Sequence, residues 1–382
     1  MKLGILVSHP IQYFVPVYRA LSERPDVSLL VLYRTRMGVD AYYDPGFAQT
    51  VQWDIPLLDG HESHFLSNKT ALTGYEPGIV KELLRRRFDV LIVHGYNGLT
   101  NLLAVLVAKL IGTRVFVRGD TRLQRHHLSA PFWKRLFKHF LFKMFDGVLA
   151  IGSLNRAYYA AFGVAEERIF FAPFCVDNAM FSLQAEELQI QRLKCRRTLG
   201  LPEDCTVVLY ASKLILQKRP ADLVRAFALV APRFRDAWLV MAGSGEEEPI
   251  LRSMVVAFGI ERVHFIGFQN QSNLPTLYAA SDVFVLPADA ESWGLVLNEV
   301  MAAGLPVVVS DEVGAAADLV QGQGTGFVYP CGDVEALAGA LESLLQSEAL
   351  RLEMGKKARE LIRAWDVDAC ASGIAAAVGY LT

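Results

Sequence analysis

The chain reads as an α/β protein of two doubly wound domains facing each other across a cleft. Short apolar runs bounded by turn residues alternate with longer stretches of helical periodicity, the pattern of parallel strands joined by crossover helices. Its 382 residues exceed one ordinary core and suit two. Apolar residues make up 52% and charged residues 20%, a globular rather than a disordered composition.

In the first half the pattern predicts strands over residues 2–8, 27–33, 90–94, 114–118, 147–151 and 169–172, with helices over 13–22, 78–87, 99–110 and 132–145. The alternation lapses into a charge-rich stretch over 177–204, expected to be the linker. It restarts with strands over 206–212, 238–242, 263–266, 283–286, 306–309 and 326–329. Helices over 334–345, 349–364 and 368–378 close the chain. The expected domains are therefore 1–176 and 205–364, with 365–382 a C-terminal helix packing back on the first domain.

A formal charge of −2 gives no global attraction to nucleic acid. The five cysteines are scattered without zinc-ligand spacing, which suits a reduced, cytoplasmic setting. The apolar run before Ser8-His9-Pro10 is shorter than a signal-peptide core and reads as a first strand. Mean hydropathy is +0.27, yet the best apolar stretch, 102–111, is broken by Lys109, so no membrane span is expected.

In open parallel sheets ligands collect at the carboxyl ends of strands. The most informative such loop follows residue 286, where a strand gives way to a polar loop, a helix expected from near Gly294, and a Gly304-Leu305-Pro306 stop. Glu291 falls in the loop and Glu299 in the helix, beside Leu297, Val300 and Met301, where an unpaired acid would be costly. Were the whole interval helical, the two carboxylates would lie about 12 Å apart along the axis, the span of a nucleoside diphosphate. One could then bond a sugar hydroxyl and the other a ribose. The N–H groups of Ser292, Trp293, Gly294 and Leu295 suit phosphate oxygens. Upstream, Lys213, Lys218 and Arg219 follow another strand and open a helix, so their charges are expected at the same strand ends.

The Glu291 to Glu299 segment resembles the E-x7-E motif of glycosyltransferase family 4, retaining enzymes of the GT-B fold with two Rossmann-like domains. The resemblance covers the second half and, more loosely, the whole chain. It implies that Glu291 contacts the donor sugar and Glu299 the ribose hydroxyls. Lys213 stands where the family has an arginine on the donor diphosphate and Lys218 where it has a lysine. A lysine offers a point charge in place of a planar fork, and Arg219 is a candidate to compensate. Gly267 and Phe268 resemble the turn whose backbone binds the nucleotide base. Cys175 lies in a segment, 172–178, that departs from the family's hinge turn at Phe174-Cys175.

On the acceptor side, His9 and Gln12 occupy the place of a glycine-rich loop whose glycines are missing, and a capping or packing role for them is the alternative. Arg118 and Asp120 end a strand where relatives carry a histidine beside the reacting sugar. Glu291, Asp120 and Lys218 are thus the residues expected at the reaction centre. Asp366 and Asp368 have the spacing of a metal-binding D-x-D but sit at a helix start, where aspartates cap; neither a metal nor another cofactor is expected. Residues 118–143 hold seven Lys or Arg (Arg118, Arg122, Arg125, Lys134, Arg135, Lys138 and Lys143) and three His (His126, His127 and His139), interleaved with aromatics and leucines. That composition suits either an anionic membrane surface or a core helix with one solvated face.

The resemblance implies a hexosyltransferase-type enzyme that moves a sugar from a nucleotide-sugar to a hydroxyl of a glycan or lipid-linked acceptor, in bacterial cell-surface polysaccharide or glycolipid synthesis. Such an enzyme would be cytoplasmic or peripheral on the inner membrane face, with no nucleic-acid partner. The alternatives are a nucleotide-sugar 2-epimerase of the same fold and a non-catalytic nucleotide-sugar-binding protein.

Overall fold

The computed structural model describes residues 1–69, 74–124, 127, 129, 131–179, 181, 182 and 192–379. The chain forms two compact units. One comprises Met1–Tyr42, Ile55–Val176 and Trp365–Thr382; the other comprises Tyr43–Asp54 and Asp177–Ala364.

The strands of the first half are β1 (Lys2–Val7), β2 (Ser28–Tyr33), β3 (Tyr42–Asp44), β4 (Gln49–Val51), β5 (Ser63–Phe65), β6 (Val90–His94), β7 (Arg114–Arg118), β8 (Gly147–Ala150) and β9 (Ile169–Phe171). Seven of them form a parallel sheet in the order β5-β2-β1-β6-β7-β8-β9. Their near-continuous apolar runs follow from burial on both faces. Helix α1 (Val15–Ser22) covers one face. On the other face lie α2 (Gly78–Arg86), α3 (Leu99–Leu110), α4 (Phe132–Lys143) and α5 (Ser153–Ala161). The short strands β3, β4 and β5 carry no periodic signal, because three residues cannot show an alternation.

The second unit opens with α6 (Arg192–Thr198), inside the stretch expected to be a linker. Arg192 and Arg196 bond Asp282 and the carbonyls of Ala279, Ala280 and Ser281, so this segment is packed rather than free. Residues 183–191 of the expected linker lie outside the described residues.

There follow β10 (Thr206–Ala211), α7 (Pro220–Val230), β11 (Ala237–Ala242), α8 (Glu248–Ala257), β12 (Val263–Gly267), α9 (Leu274–Ala280) and β13 (Val283–Leu286). Next come α10 (Val296–Ala302), β14 (Val307–Ser310), α11 (Ala316–Leu319), β15 (Gly326–Tyr329), α12 (Val334–Gln346) and α13 (Glu348–Ile362). The sheet order is β12-β11-β10-β13-β14-β15, all parallel. The chain ends in α14 (Val367–Gly379), which belongs to the first unit and packs beside α1 and β9. Asp366 caps it by accepting from the Ala369 N–H at 2.7 Å.

Both sheets are built outward in one direction and then in the other. The reversal falls between β1 and β6 in the first sheet and between β10 and β13 in the second. Loops leaving neighbouring strands at such a point diverge and open a crevice at the strand ends. In the second sheet the loop after β10 is pinned to the one after β11: the N–H of Ser212 bonds the carbonyl of Ala242, and that of Leu214 the carbonyl of Ser244. Only glycine permits this approach at 243. A Cβ there would lie 1.9 Å from the Ser212 carbonyl oxygen, and φ is +138°.

Gly243→Ala is therefore expected to cost roughly 2–4 kcal/mol of stability, read as a fall in the denaturation midpoint. Gly339→Ala is the control. It lies within α12, a Cβ there meets nothing within 4 Å, and the change is expected to be neutral to stabilising by up to about 1 kcal/mol.

Candidate functional site

The reversal between β10 and β13 brings two loops together at the strand ends of the second unit. From β10 comes Lys213, followed by a 3-10 turn, Leu216–Lys218. From β13 comes the segment carrying Glu291. The Asp289 N–H bonds the Gln217 carbonyl at 2.8 Å, tying the loops by their backbones. Across this tie the Lys218 ammonium donates to Glu291 Oε2, and both side chains are mostly buried. Burial, and then repulsion from Lys213, brings the Lys218 ammonium down to about 8.

Glu291 does not lie in a helix. It forms a β-bridge with Val313, its N–H bonds the Glu312 carbonyl, and its own carbonyl accepts from Gly314. A Cβ on Gly314 would lie 1.9 Å from the Ser292 carbonyl oxygen, so this approach too needs glycine. Ala290 takes a left-handed φ of +52° and Gly294 one of +96°, which turn the segment back on itself. Helix α10 begins only at Val296 and has seven residues. Glu291 thus sits in the loop and Glu299 in the helix, as expected; the helix starts at Val296 rather than near Gly294, so the all-helical spacing of about 12 Å does not apply, and its dipole is small.

Glu299 is almost wholly buried and accepts a hydrogen bond from the Tyr278 hydroxyl on α9. Trp293 is buried, and its indole N–H donates to Asn298 Oδ1 at 3.0 Å, so its ring is a wall of the loop. Ser292 and Leu295 are half-buried beside it. Arg219, the left-handed residue before α7, turns its guanidinium to Asp222 at 2.6 Å and packs near Gly332. That geometry makes it a helix-start strut, a role for which compensation at phosphate was the expectation.

Sequence reasoning missed the segment Tyr43–Asp54, which packs with the second unit. Asp44 pairs with the Lys213 ammonium at 2.9 and 3.0 Å, and that ammonium sits 4.8 Å from the centre of the Phe47 ring. Phe47 in turn meets Phe268 edge-on at 4.8 Å, and Trp53 stands 6.3 Å from the same ring. Gly267, at φ +69°, gives its carbonyl to the Gly243 N–H. Burial alone would raise the Asp44 carboxyl, but the Lys213 ammonium and the N–H groups of Phe47 and Gly46 outweigh it and hold it below its ordinary value. The Asp44-Pro45-Gly46 triplet signals a turn, and Asp44 Oδ1 does accept from the Gly46 and Phe47 N–H groups; nothing local signals the partner Lys213. At these strand ends Lys213 and Lys218 are thus each matched with one carboxylate.

In the first unit, His9 and Gln12 lie half-buried in the loop after β1, and the Ser8 hydroxyl lies 2.9 Å from His9 Nδ1. Burial depresses His9 to about 4 and, with Arg118 adding repulsion, His94 to about 3, so both stay neutral near pH 7. Arg118 corrects the expectation of an acceptor contact. It is 3% exposed, stands 5.2 Å from the Phe14 and Phe174 ring centres, and donates to the Ala172 and Pro173 carbonyls and to Cys370 Sγ. It is a core strut. Asp120, at the end of the same strand, is exposed.

The basic aromatic stretch also narrows. Arg118 and Arg122 are buried, and Arg125 and His126 lie outside the described residues. What faces solvent is α4, where Phe142 alone is buried while Phe132, Trp133, Phe137 and Phe140 are exposed. The helix packs into the core through Phe142 and leaves an aromatic face exposed, which is consistent with a core helix with one solvated face. No helix among the described residues is long and apolar enough to cross a membrane.

Residues 191–361 match the family described as glycosyl transferases group 1. The chain is 34% identical over 168 residues to N-acetyl-alpha-D-glucosaminyl L-malate synthase of Bacillus anthracis, covering 44% of this chain and 43% of that one. It is 32% identical over 240 residues to a GDP-mannose-dependent phosphatidylinositol monomannoside mannosyltransferase of Mycobacterium tuberculosis, covering 60% of each. The chain spans about half the length of the curated relatives it matches. Its fold is similar to that of Anabaena Alr3699/HepE in complex with UDP, with a TM-score of 0.76 at 18% identity over 100% of both chains. It is also similar to WaaG, a glycosyltransferase involved in lipopolysaccharide biosynthesis, with a TM-score of 0.69 at 16% identity over 98% of this chain and 99% of that one. The architecture is the GT-B one, two Rossmann-like units.

The pairing of Lys218 with Glu291 has a measurable consequence. Reaction of Lys218 with an amine-directed acylating reagent, followed by mass spectrometry, is expected to rise with a midpoint near pH 8. In Glu291→Gln the midpoint moves lower, because the ammonium loses its carboxylate. An unchanged midpoint would separate the two residues.

Proposed function

We propose that this chain is a retaining glycosyltransferase that moves a sugar from a nucleoside-diphosphate sugar to a hydroxyl of a glycan or lipid-linked acceptor, in the synthesis of bacterial cell-surface polysaccharide or glycolipid. The observation that carries this reading is the buried Lys218–Glu291 pair, with Lys213 beside it, at the reversal point of the second sheet. A group 1 glycosyl transferase match spans the same residues, and HepE, whose fold is similar, forms a complex with UDP-glucose.

In this reading Lys213 and Lys218 hold the donor diphosphate and neutralise the charge that develops on it as the sugar leaves. Two ammonium groups take the part a metal ion would play there. Glu291 grips hydroxyls of the transferred sugar, and Glu299, steadied by Tyr278, grips the ribose. The backbone at Gly267 and Phe268 meets the base, and the loop from Ser292 to Leu295 flanks the phosphates. The acceptor hydroxyl attacks the face the diphosphate leaves, and an oxygen of the leaving phosphate takes its proton. His9 and Gln12, with Asp120, serve the acceptor. Glu291 is a grip on the donor and not a nucleophile.

The protein then works at the inner surface of the cell membrane, where the exposed cations and aromatics of α4 meet anionic lipid.

Incubation with a panel of UDP-, GDP- and other nucleotide-sugars tests the reaction. Nucleotide release that requires a glycan or lipid-linked acceptor is the expected result; turnover of donor alone would indicate an epimerase, and binding without turnover a silent protein. Glu291→Ala and Lys218→Ala are each expected to lower kcat/KM by about 10²–10³-fold, and full activity in both would remove the site assignment.

Asp44 competes with diphosphate for Lys213. Asp44→Asn keeps the turn but removes the charge, so nucleoside diphosphate binding is expected to tighten roughly five-fold in calorimetry. Weaker binding would mean that Asp44 positions Lys213 for the donor.

A further inference from the structure

Helix α4 carries Lys134, Arg135, Lys138 and Lys143 and no acid. Among the described residues none of these four cations pairs with a carboxylate, whereas nearby Lys109 and Arg156 pair with Asp146 and Glu166. Three of the four share a concavity, Lys134 and Arg135 exposed and Lys138 half-buried. Lys134, Arg135 and Lys138, with His127, Ser129 and Phe162, line a cavity of about 450 Å³ in the first unit. The Lys138 ammonium is fixed above two rings of its wall, 5.1 Å from the Tyr158 centre and 4.7 Å from that of Phe162. A concave site holding three uncompensated cations favours an anion, and its volume admits a phosphate with a small polar substituent.

Its surroundings say how that phosphate is carried. Phe132, Trp133, Phe137 and Phe140 project from the same helix, 56–76% exposed. On α3, Leu99, Leu102, Leu106 and Leu110 form a second exposed row at helical spacing. The two helices share one face of the sheet, and Lys109 on α3 bonds Asp146, just past α4, at 2.8 Å. An apolar surface of two helices beside a cationic cavity suits a molecule whose phosphate is attached to acyl chains.

We propose that the cavity lined by Lys134, Arg135 and Lys138 binds the phosphate of an anionic membrane phospholipid, while the α4 aromatics and the α3 leucines enter the acyl boundary. This deepens the membrane reading and rests on it. The bare attraction of a charged surface treats every cation alike, at about five-fold in binding per Lys or Arg. The cavity does not.

Flotation with phosphatidylcholine vesicles containing phosphatidylglycerol, or oleate at matched surface charge, distinguishes the two. The full-length protein is expected to bind the phosphatidylglycerol vesicles more tightly than the oleate ones. Lys138→Gln and, as a second variant whose ammonium lies over Trp133 rather than over Tyr158 and Phe162, Lys134→Gln should each lose clearly more than five-fold on phosphatidylglycerol and only about five-fold on oleate. Lys143→Gln, outside the cavity, should lose about five-fold on both. Thermal melts check that the variants fold. Equal losses for Lys134, Lys138 and Lys143 on both vesicles would overturn the cavity while leaving the membrane face intact. No flotation on any vesicle would overturn both, and saturable binding of inorganic phosphate without flotation would assign the cavity to a soluble phosphate instead.

Discussion

The reversal of strand order between β10 and β13 is the constraint on which the second unit depends. It sends two loops to the same strand ends, and the buried pairing of Lys218 with Glu291, 73 residues apart in sequence, is its product. Neither group would be tolerated alone at that depth, since an unpaired charge removed from water costs several kcal/mol. The glycines at 243 and 314 serve the same convergence by letting one loop backbone lie against the next. Strand order, glycine positions and the ion pair are thus consequences of one another, and the donor reading follows from charges already gathered where a parallel sheet binds ligands.

The two units handle buried cations differently. In the second, Lys213 and Lys218 each have a carboxylate, so the site is close to electrically neutral until an anion competes for its lysines. In the first, Arg118 has no carboxylate and gives one guanidinium nitrogen to two carbonyls and a thiol between two aromatic rings, and His9 and His94 are held neutral by burial. Neutral histidines and a locked guanidinium leave the β1 loop a polar but weakly charged surface, suited to hydroxyl groups more than to phosphate. The unmatched positive charge of this unit lies on α4 instead, where it is exposed and accompanied by aromatics.

The sequence by itself determined the two parallel sheets, because strands buried on both faces must be apolar runs and crossover helices must show a 3.6-residue period. It also determined that Lys213, Lys218, Glu291 and Glu299 lie at strand ends or on the helix that follows. It did not reveal β3, β4 and β5, which are too short to be periodic, nor the helix at Arg192–Thr198, whose stability comes from Arg192 and Arg196 reaching Asp282.

Tertiary structure alone decided which charges meet. Local pattern is blind to partners distant in sequence, so the pairing of Asp44 with Lys213, 169 residues away, and of Tyr278 with Glu299 could not be read from either segment. The same blindness made Arg118 look like a site residue and Arg122 like part of a basic face, though both are buried. It left α4 undecided between core and surface, because an amphipathic composition fixes a helix but not what covers it. The fold covers Phe142 and leaves Phe132, Trp133, Phe137 and Phe140 in solvent.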